Sequence, residues 1–288
     1  MKEQFPVYDI CTISDFKQED ILISRFAPYL QSHKNLALPH KHTFYHMVLF
    51  TEGAGTHAVD FTSFAVKPYQ IYFMVPGQVH SWAFEGAVDG YIINFSVPFF
   101  QSFLLKQDYL DNFQFFDGTT NHAIINIPTE LHRQIIYLFE AILHESELNL
   151  KLGLDMVKAL MLQIFILIAR LNTADAPKST ANYNYTLLRN FQKLTNQRFA
   201  DLKLPKDYAE LLYITPNHLN AICKDILGTS AGEVIRNRVI LEAKRLLITL
   251  NLSVTQIAYN LNFTDSSYFT KFFKKYTGLT PEDFRKTL

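Results

Sequence analysis

The sequence predicts an α+β chain, with a β-rich N-terminal part, two helices after it and an all-helical C-terminal part. Three observations predict it. Short runs rich in aromatic and β-branched residues alternate with turn signals through the first half of the chain. The apolar period changes to that of a helix near Pro128. After a polar stretch over 172–184 the chain breaks into short helices whose caps are legible one by one.

Strands are expected at 56–59, 71–75 and 91–95, separated by turn signals at Thr51-Glu52-Gly53, Lys67-Pro68, Pro76-Gly77 and Glu85-Gly86. Such spacing belongs to a barrel or sandwich, and no helical run separates the strands as parallel βαβ units require. Leu131, Ile135, Leu138, Phe139 and Ile142 then form one helical stripe, and Leu154, Val157, Leu160, Met161, Ile164 and Ile168 form another. Leu162, Phe165, Ile166 and Leu167 lie outside the second stripe. A helix apolar around so much of its circumference is expected to bury two sides, one on the barrel and one against a second copy of the chain, giving a homodimer.

With 288 residues, 48% hydrophobic and 19% charged, the chain has the composition of a globular protein of two domains. The expected division is 1–172, a linker over 173–184, and 185–288. The formal net charge of zero hides an asymmetry: residues 1–173 hold 11 Lys+Arg against 17 Asp+Glu, and 174–288 hold 16 against 10. A basic surplus confined to the last part points to a polyanionic partner there. No stretch approaches the roughly 18 apolar residues of a membrane span. The start, Met1-Lys2-Glu3-Gln4, is unlike a secretory signal, so a cytoplasmic chain with no membrane contact is expected. Cys11 and Cys223 are too isolated for a disulfide framework or a Cys-rich zinc site.

In the C-terminal part, Thr215-Pro216 opens a helix that ends at Gly228. Ser230 with Glu233 makes a capping box before a long helix reaching about Leu250, Ser253 with Gln256 makes another, and Thr280-Pro281 with Asp283 opens the last helix. Turns of three or four residues between short helices describe the helix-turn-helix. The pattern occurs twice. Ala209-Glu210-Leu211-Leu212-Tyr213-Ile214-Thr215 is answered by Ala258-Tyr259-Asn260-Leu261-Asn262-Phe263-Thr264. After a one-residue slack, Leu219, Lys224, Gly228 and Ser230 are answered by Phe269, Lys274, Gly278 and Thr280. The long helix spans about 30 Å at 1.5 Å per residue, close to the roughly 34 Å repeat of B-DNA, so two second helices fit successive major grooves.

The run 257–286, IAYNLNFTDSSYFTKFFKKYTGLTPEDFRK, closely resembles the signature of AraC/XylS-type transcription regulators, and the likeness extends back to about Leu187. It is carried by Tyr268-Phe269, Phe273-Lys274-Lys275, Gly278, Thr280-Pro281 and Phe284-Arg285, all in order. Asn262 stands where the family most often has Gly, and Asn tolerates a left-handed turn. Ala221 and Cys223 stand where the first unit often has Arg and Phe, which weakens base reading by that helix. The resemblance implies that Asn217, Asn220 and Ala221 meet base edges in the first unit, and Ser266, Ser267, Thr270 and Lys271 in the second. The chemistry agrees: Asn bonds adenine bidentately, Ala packs on a thymine methyl, and Lys donates to guanine. Lys224, Arg245, Lys274 and Lys275 are expected on phosphates, and Leu219, Ile222, Phe269, Phe272 and Phe273 in the core.

Pro39-His40-Lys41-His42-Thr43-Phe44-Tyr45-His46 is the second chemically informative run. In an extended strand His40, His42 and His46 share one face with Phe44, Val48 and Phe50, and Pro76-Gly77-Gln78-Val79-His80 adds a fourth histidine beside a tight turn. This arrangement resembles the two short motifs of cupins, which implies a cupin-like barrel as the sensor part. The ligands of metal-binding cupins are typically three His and a Glu; here His46 takes the Glu position, so His40, His42, His46 and His80 are the metal alternative. Regulator-type cupins commonly keep the fold without metal. The leading expectation is therefore no cofactor and a small-molecule effector contacted by His40, His42, Tyr45, His46, His80 and Trp82.

The expected function is a ligand-responsive, sequence-specific binder of double-stranded DNA, with RNA polymerase as a further partner. A metal-dependent cupin enzyme with a DNA-binding tail is the rival. It lacks an acidic residue beside the histidines to act as general base, so no enzyme is expected. A DNA binder that needs no effector is a third reading.

Overall fold

The computed structural model describes residues 6–10, 20–101, 109–148, 150–171, 180–249 and 252–287. It divides into two compact units, Pro6–Ala174 and Asp175–Leu288. Cys11 and most of the expected linker lie outside the described residues. The remainder of that linker, from Thr180, is helix.

The first unit holds β1 (Val7–Tyr8), β2 (Ile21–Arg25), β3 (His40–His42), β4 (Tyr45–Glu52), β5 (Gly55–Val59), β6 (Thr62–Ala65), β7 (Gln70–Met74), β8 (Val79–Phe84), β9 (Asp89–Phe95) and β10 (Ile124–Asn126). Two five-stranded sheets result, ordered β1-β3-β8-β5-β6 and β10-β7-β4-β9-β2. The first half of the chain thus folds as the antiparallel β-structure that the turn spacing predicts, apart from the parallel pair β1 and β3. Helices α1 (Phe26–Ser32), α2 (Val97–Gln101), α3 (Thr129–Leu148) and α4 (Gly153–Leu171) complete the unit.

The second sheet is covered on both faces, which explains why β7 is buried at every residue. Met47, Leu49, Ile71, Phe73, Ile93 and Phe95 pack outward against α3 and α4. Val48, Phe50, Tyr72 and Ile92 turn inward with Phe26, Phe44 and Trp82. Alternation of side chains along a strand therefore sorts two apolar sets rather than apolar from polar. Helix α3 buries Ile135, Leu138, Phe139 and Ile142 of the expected stripe and covers Leu131 in part.

In α4 two positions depart from the expected stripe. Leu154 is 40% exposed, because the buried line reaches Val157 through Gly153. Phe165, expected outside the stripe, is fully buried, and its ring lies 5.2 Å from that of Phe116 and 5.5 Å from that of Phe113. Leu162, Ile166 and Leu167 are only partly buried.

The second unit consists of α5 (Thr180–Arg198), α6 (Pro205–Leu211), α7 (Pro216–Leu227), α8 (Ala231–Thr249), α9 (Val254–Asn260), α10 (Ser266–Thr277) and α11 (Pro281–Lys286). It has two cores. One gathers Leu188, Phe191, Tyr208, Leu219 and Ile222, the other Ile257, Leu261, Phe263, Phe269 and Phe273. Helix α8 serves both, giving Ala231 and Ile235 to the first and Val239, Ala243 and Leu247 to the second. Its start is fixed by the expected capping box: the Ser230 amide donates to the Glu233 carboxylate and the Glu233 amide to Ser230 Oγ. The Ser230 amide, then the Ser230 and Thr229 hydroxyls, hold the Glu233 carboxyl down to about 2.

Both units turn in the same way between their two short helices. The Ile214 amide donates to Ala209 O and the Phe263 amide to Ala258 O, at 3.0 and 2.9 Å. The residues before them, Tyr213 and Asn262, have φ of +55° and +57°. Asn262 supplies the left-handed residue that its type allows, but Tyr213 does so with no side-chain advantage and is 96% exposed. Tyr213→Gly is therefore expected to raise stability by about 1 kcal/mol, a gain that urea denaturation of the full chain measures. Unchanged or lower stability would show that the tyrosine ring holds the turn.

Candidate functional site

Helices α7 and α10 are the second helices of the two helix-turn-helix units. Thr215 caps α7 by accepting from the His218 amide at 3.1 Å. In α10 the capping residue is Asp265, whose carboxylate accepts from the Ser267 and Tyr268 amides at 2.9 and 3.2 Å. The one-residue slack between the repeats is this exchange of a Thr cap for an Asp one residue further on. Each helix ends on a glycine in the left-handed region, Gly228 and Gly278.

With an offset of 50 residues the two helices present equivalent side chains. Asn217, Ala221 and Lys224 are exposed along α7, and Ser267, Lys271 and Lys274 along α10, while Leu219 and Phe269 face their cores. Lys275 is exposed too, and Phe272 is half-buried rather than fully in the core. Ser266 and Thr270 are half-buried, and the Thr270 hydroxyl donates to Ser266 O. Asn220, expected at a base edge, instead accepts the Ala231 amide at 3.1 Å and caps the start of α8. Arg245, expected on a phosphate, is 7% exposed and ion-paired with Glu242 at 3.6 Å, because α8 turns that position inward. The matched exposed rings of His218 and Tyr268, one turn into each helix, were not singled out by sequence reasoning; the offset would have found them.

In the first unit β3 and β8 pair His40 with His80, and β8 and β5 pair Trp82 with His57. The expected single strand through His40 and Phe50 is two strands in different sheets, broken at Thr43 and Phe44. His46 nevertheless reaches the same interior, because the chain crosses between sheets at that corner. His40, His42, His46, His57 and His80 are all at most 2% exposed. His57, on β5, was not among the expected site residues. Tyr45, expected to meet an effector, faces the other way, stacked on Phe95 at 5.0 Å in the helix-facing core. Trp82 lines the interior, and its Nε1 has no hydrogen-bond partner.

The hydrogen bonds fix two tautomers. His40 Nδ1 lies 2.7 Å from Leu38 O and His46 Nδ1 lies 2.7 Å from Asn94 Oδ1. Both oxygens only accept, so each Nδ1 carries the proton and each Nε2 is left a lone pair. Neither Nε2 has a partner. His80 Nδ1 meets His57 Nε2 at 3.1 Å, and His80 Nε2 meets His42 Nε2 at 2.5 Å. Burial, against the Leu38 bond, lowers His40 to about 4. Burial likewise lowers His46 to about 3 against the Asn94 bond, and holds His42, His57 and His80 well below the usual range. The set is therefore neutral near pH 7 and rich in nitrogen lone pairs.

Comparison with known proteins assigns both units. Residues 28–152 match the AraC-like ligand binding domain and residues 208–287 match a helix-turn-helix domain. The chain belongs to the AraC-type transcription regulators. Among relatives, this AraC-type chain is 38% identical over 92 residues to the transcriptional activator AarP of Providencia stuartii, covering 32% of this chain and 64% of AarP. It is 23% identical over 253 residues to the activator RhaR of Escherichia coli, covering 85% of this chain and 86% of RhaR. The chain spans between 38% and 64% of the length of three relatives that it matches. Fatty acid-bound ToxT of Vibrio cholerae is similar at 13% identity and a TM-score of 0.44, over 93% of this chain and 96% of ToxT. Among the described residues of this AraC-type regulator, no helix is long and apolar enough to cross a membrane.

Proposed function

We propose that this chain is a cytoplasmic regulator without enzymatic activity, which binds double-stranded DNA as a homodimer and changes its hold on promoters when an effector enters the N-terminal barrel. The observation that carries the reading is the pair of recognition helices, α7 and α10, with matched exposed side chains and one shared helix, α8, behind them. Asn217, Ala221, Ser266, Ser267, Thr270 and Lys271 are assigned to base edges, and Lys224, Lys274 and Lys275 to phosphates. His40, His42, His46, His80 and Trp82 are assigned to the effector. The half-covered Leu162, Ile166 and Leu167 of α4 support a contact between two copies. Relatives named as activators support a role in switching promoters on through RNA polymerase.

The experiment is selection of bound DNA from a random pool with the full chain. A recovered consensus supports the reading, and its repeat count checks the dimer, since two protomers select paired sites. Lys271→Ala is then expected to cost about 1 to 3 kcal/mol on the consensus and relax preference at one base pair. Lys275→Ala is expected to weaken all duplexes alike and lower the salt slope by about one. Band-shift titrations over a range of salt separate the two. Equal losses on consensus and random duplexes for both variants would sink the assignment.

A further inference from the structure

The interior of the barrel joins three buried imidazoles, His40, His42 and His80, each offering one ring nitrogen within 4.8 Å of those of the other two. We infer that these three bind a divalent transition-metal ion, and that the ion is the effector of the regulation proposed above, on which this second half of the inference rests.

Four observations carry it. First, four buried ring nitrogens of the cluster have no hydrogen-bond partner. His40 Nε2 and His46 Nε2 are buried lone pairs that no donor meets, and His42 Nδ1 and His57 Nδ1 are also unpartnered. A buried acceptor left unmatched is costly, and a cation satisfies several at once. Second, His42 Nε2 and His80 Nε2 sit at 2.5 Å, below the usual 2.7–3.2 Å of a hydrogen bond to nitrogen. With a His40 nitrogen also within 4.8 Å, the nitrogens leave no room among them for an organic molecule, whereas a single ion held at about 2.0–2.1 Å needs only that the His42–His80 contact open. Third, the outer partners that orient metal-binding histidines are in place. His40 Nδ1 is bonded to Leu38 O, which leaves His40 Nε2 free as a ligand, and His80 Nδ1 meets His57 Nε2, which turns His80 Nε2 toward His42. Fourth, an all-imidazole set suits zinc, copper, nickel or iron and not magnesium or calcium, which take oxygen.

The triad differs from the set expected from sequence. His46 stands beside it, its ring stacked on that of His42 at 5.0 Å, and its nitrogen is not within the close group. His57 enters as the hydrogen-bond partner behind His80, a positioning residue and not a ligand.

The test uses the full chain purified without a histidine tag, stripped with EDTA and titrated with Co²⁺, read by its visible absorption, and with Zn²⁺, read by calorimetry. About one equivalent is expected in the wild type, lost in His40→Ala and His80→Ala, with circular dichroism checking that each variant folds. His57→Asn is expected to keep the stoichiometry and weaken affinity about 10- to 100-fold. Zn²⁺ is expected to change the Kd for consensus DNA at least about 5-fold in the wild type but not in His40→Ala. Uptake below about one tenth of an equivalent by the wild type overturns the site whatever the variants do. Undiminished uptake by both folded His→Ala variants overturns it as well. Full uptake with an unchanged DNA Kd overturns the role of the ion as effector. Loss of all sequence preference, with and without metal, would instead be a failure of the DNA-binding reading, and stoichiometric uptake would still uphold the metal site.

Discussion

Acidification of the EDTA-treated chain from pH 7.5 to pH 5 is expected to unfold the N-terminal unit while the helical C-terminal unit stays folded. The cause is the five buried histidines. Their native pKa values are lowered by burial, to about 4 for His40 and about 3 for His46, whereas in the unfolded chain each titrates near 6.5. A lowered native value means that the unfolded chain binds more protons, so stability is complete above about pH 6.5 and falls with pH toward the native values. At pH 5 keeping His40 and His46 neutral costs about 2 kcal/mol each, and His42, His57 and His80, held well below the usual range by burial, add loss of the same sign, against a total stability of roughly 5–15 kcal/mol for a domain. Asp89, lowered by its Arg25 and backbone hydrogen bonds against desolvation, adds loss in the same direction at lower pH. His122 opposes it: the hydrogen bond to Asp117 raises its pKa, so its contribution is present in acid and fades as pH rises through the native value. The single tryptophan, Trp82, is 5% exposed inside the cluster, so its fluorescence reports the transition directly. A spectrum unchanged down to pH 4.5 would refute the account of the buried cluster.

Phe269→Ala is expected to destabilise the second helix-turn-helix unit by about 3–5 kcal/mol, the usual cost of deleting a buried aromatic ring. Phe269 is fully buried, with its ring 5.2 Å from that of Phe263 and 6.0 Å from that of Phe273, and it anchors the inner face of α10. Without it the exposed Ser267, Lys271 and Lys274 lose their common support. Footprinting of the selected DNA is then expected to lose the half contacted by α10 and keep the half contacted by α7. Guanidinium denaturation gives the stability change, and a loss below about 1 kcal/mol would mean that the site collapses around the gap.

Much of the second unit was legible because its helices are punctuated by side chains whose chemistry is local. Thr215, Ser230 with Glu233, Ser253 with Gln256, and Thr280 all make the hydrogen bonds their positions predict. What the sequence hid is tertiary. Nothing about Tyr213 favours a positive φ; the turn repeated around Asn262 imposes it. Arg245 reads as a surface cation until the shared helix turns it inward. In the barrel, the period-two pattern found three histidines on one face but not the corner at Thr43 and Phe44, which no Gly or Pro announces. His57 belongs to the cluster only through strand pairing with Trp82, a relation between positions 25 residues apart that no local pattern carries. Tyr45 was misread for the complementary reason: in a sheet covered on both sides, an aromatic residue gives no sign of which side it takes.

Because α8 lies in both cores, its length is a fixed quantity. Deleting one residue from its middle would rotate everything beyond by about 100° and draw it in by about 1.5 Å, so one of the two cores would have to come apart. The distance between α7 and α10 is thus written into a rod that cannot be trimmed, and under the proposed function drift in operator spacing has to be met on the DNA side.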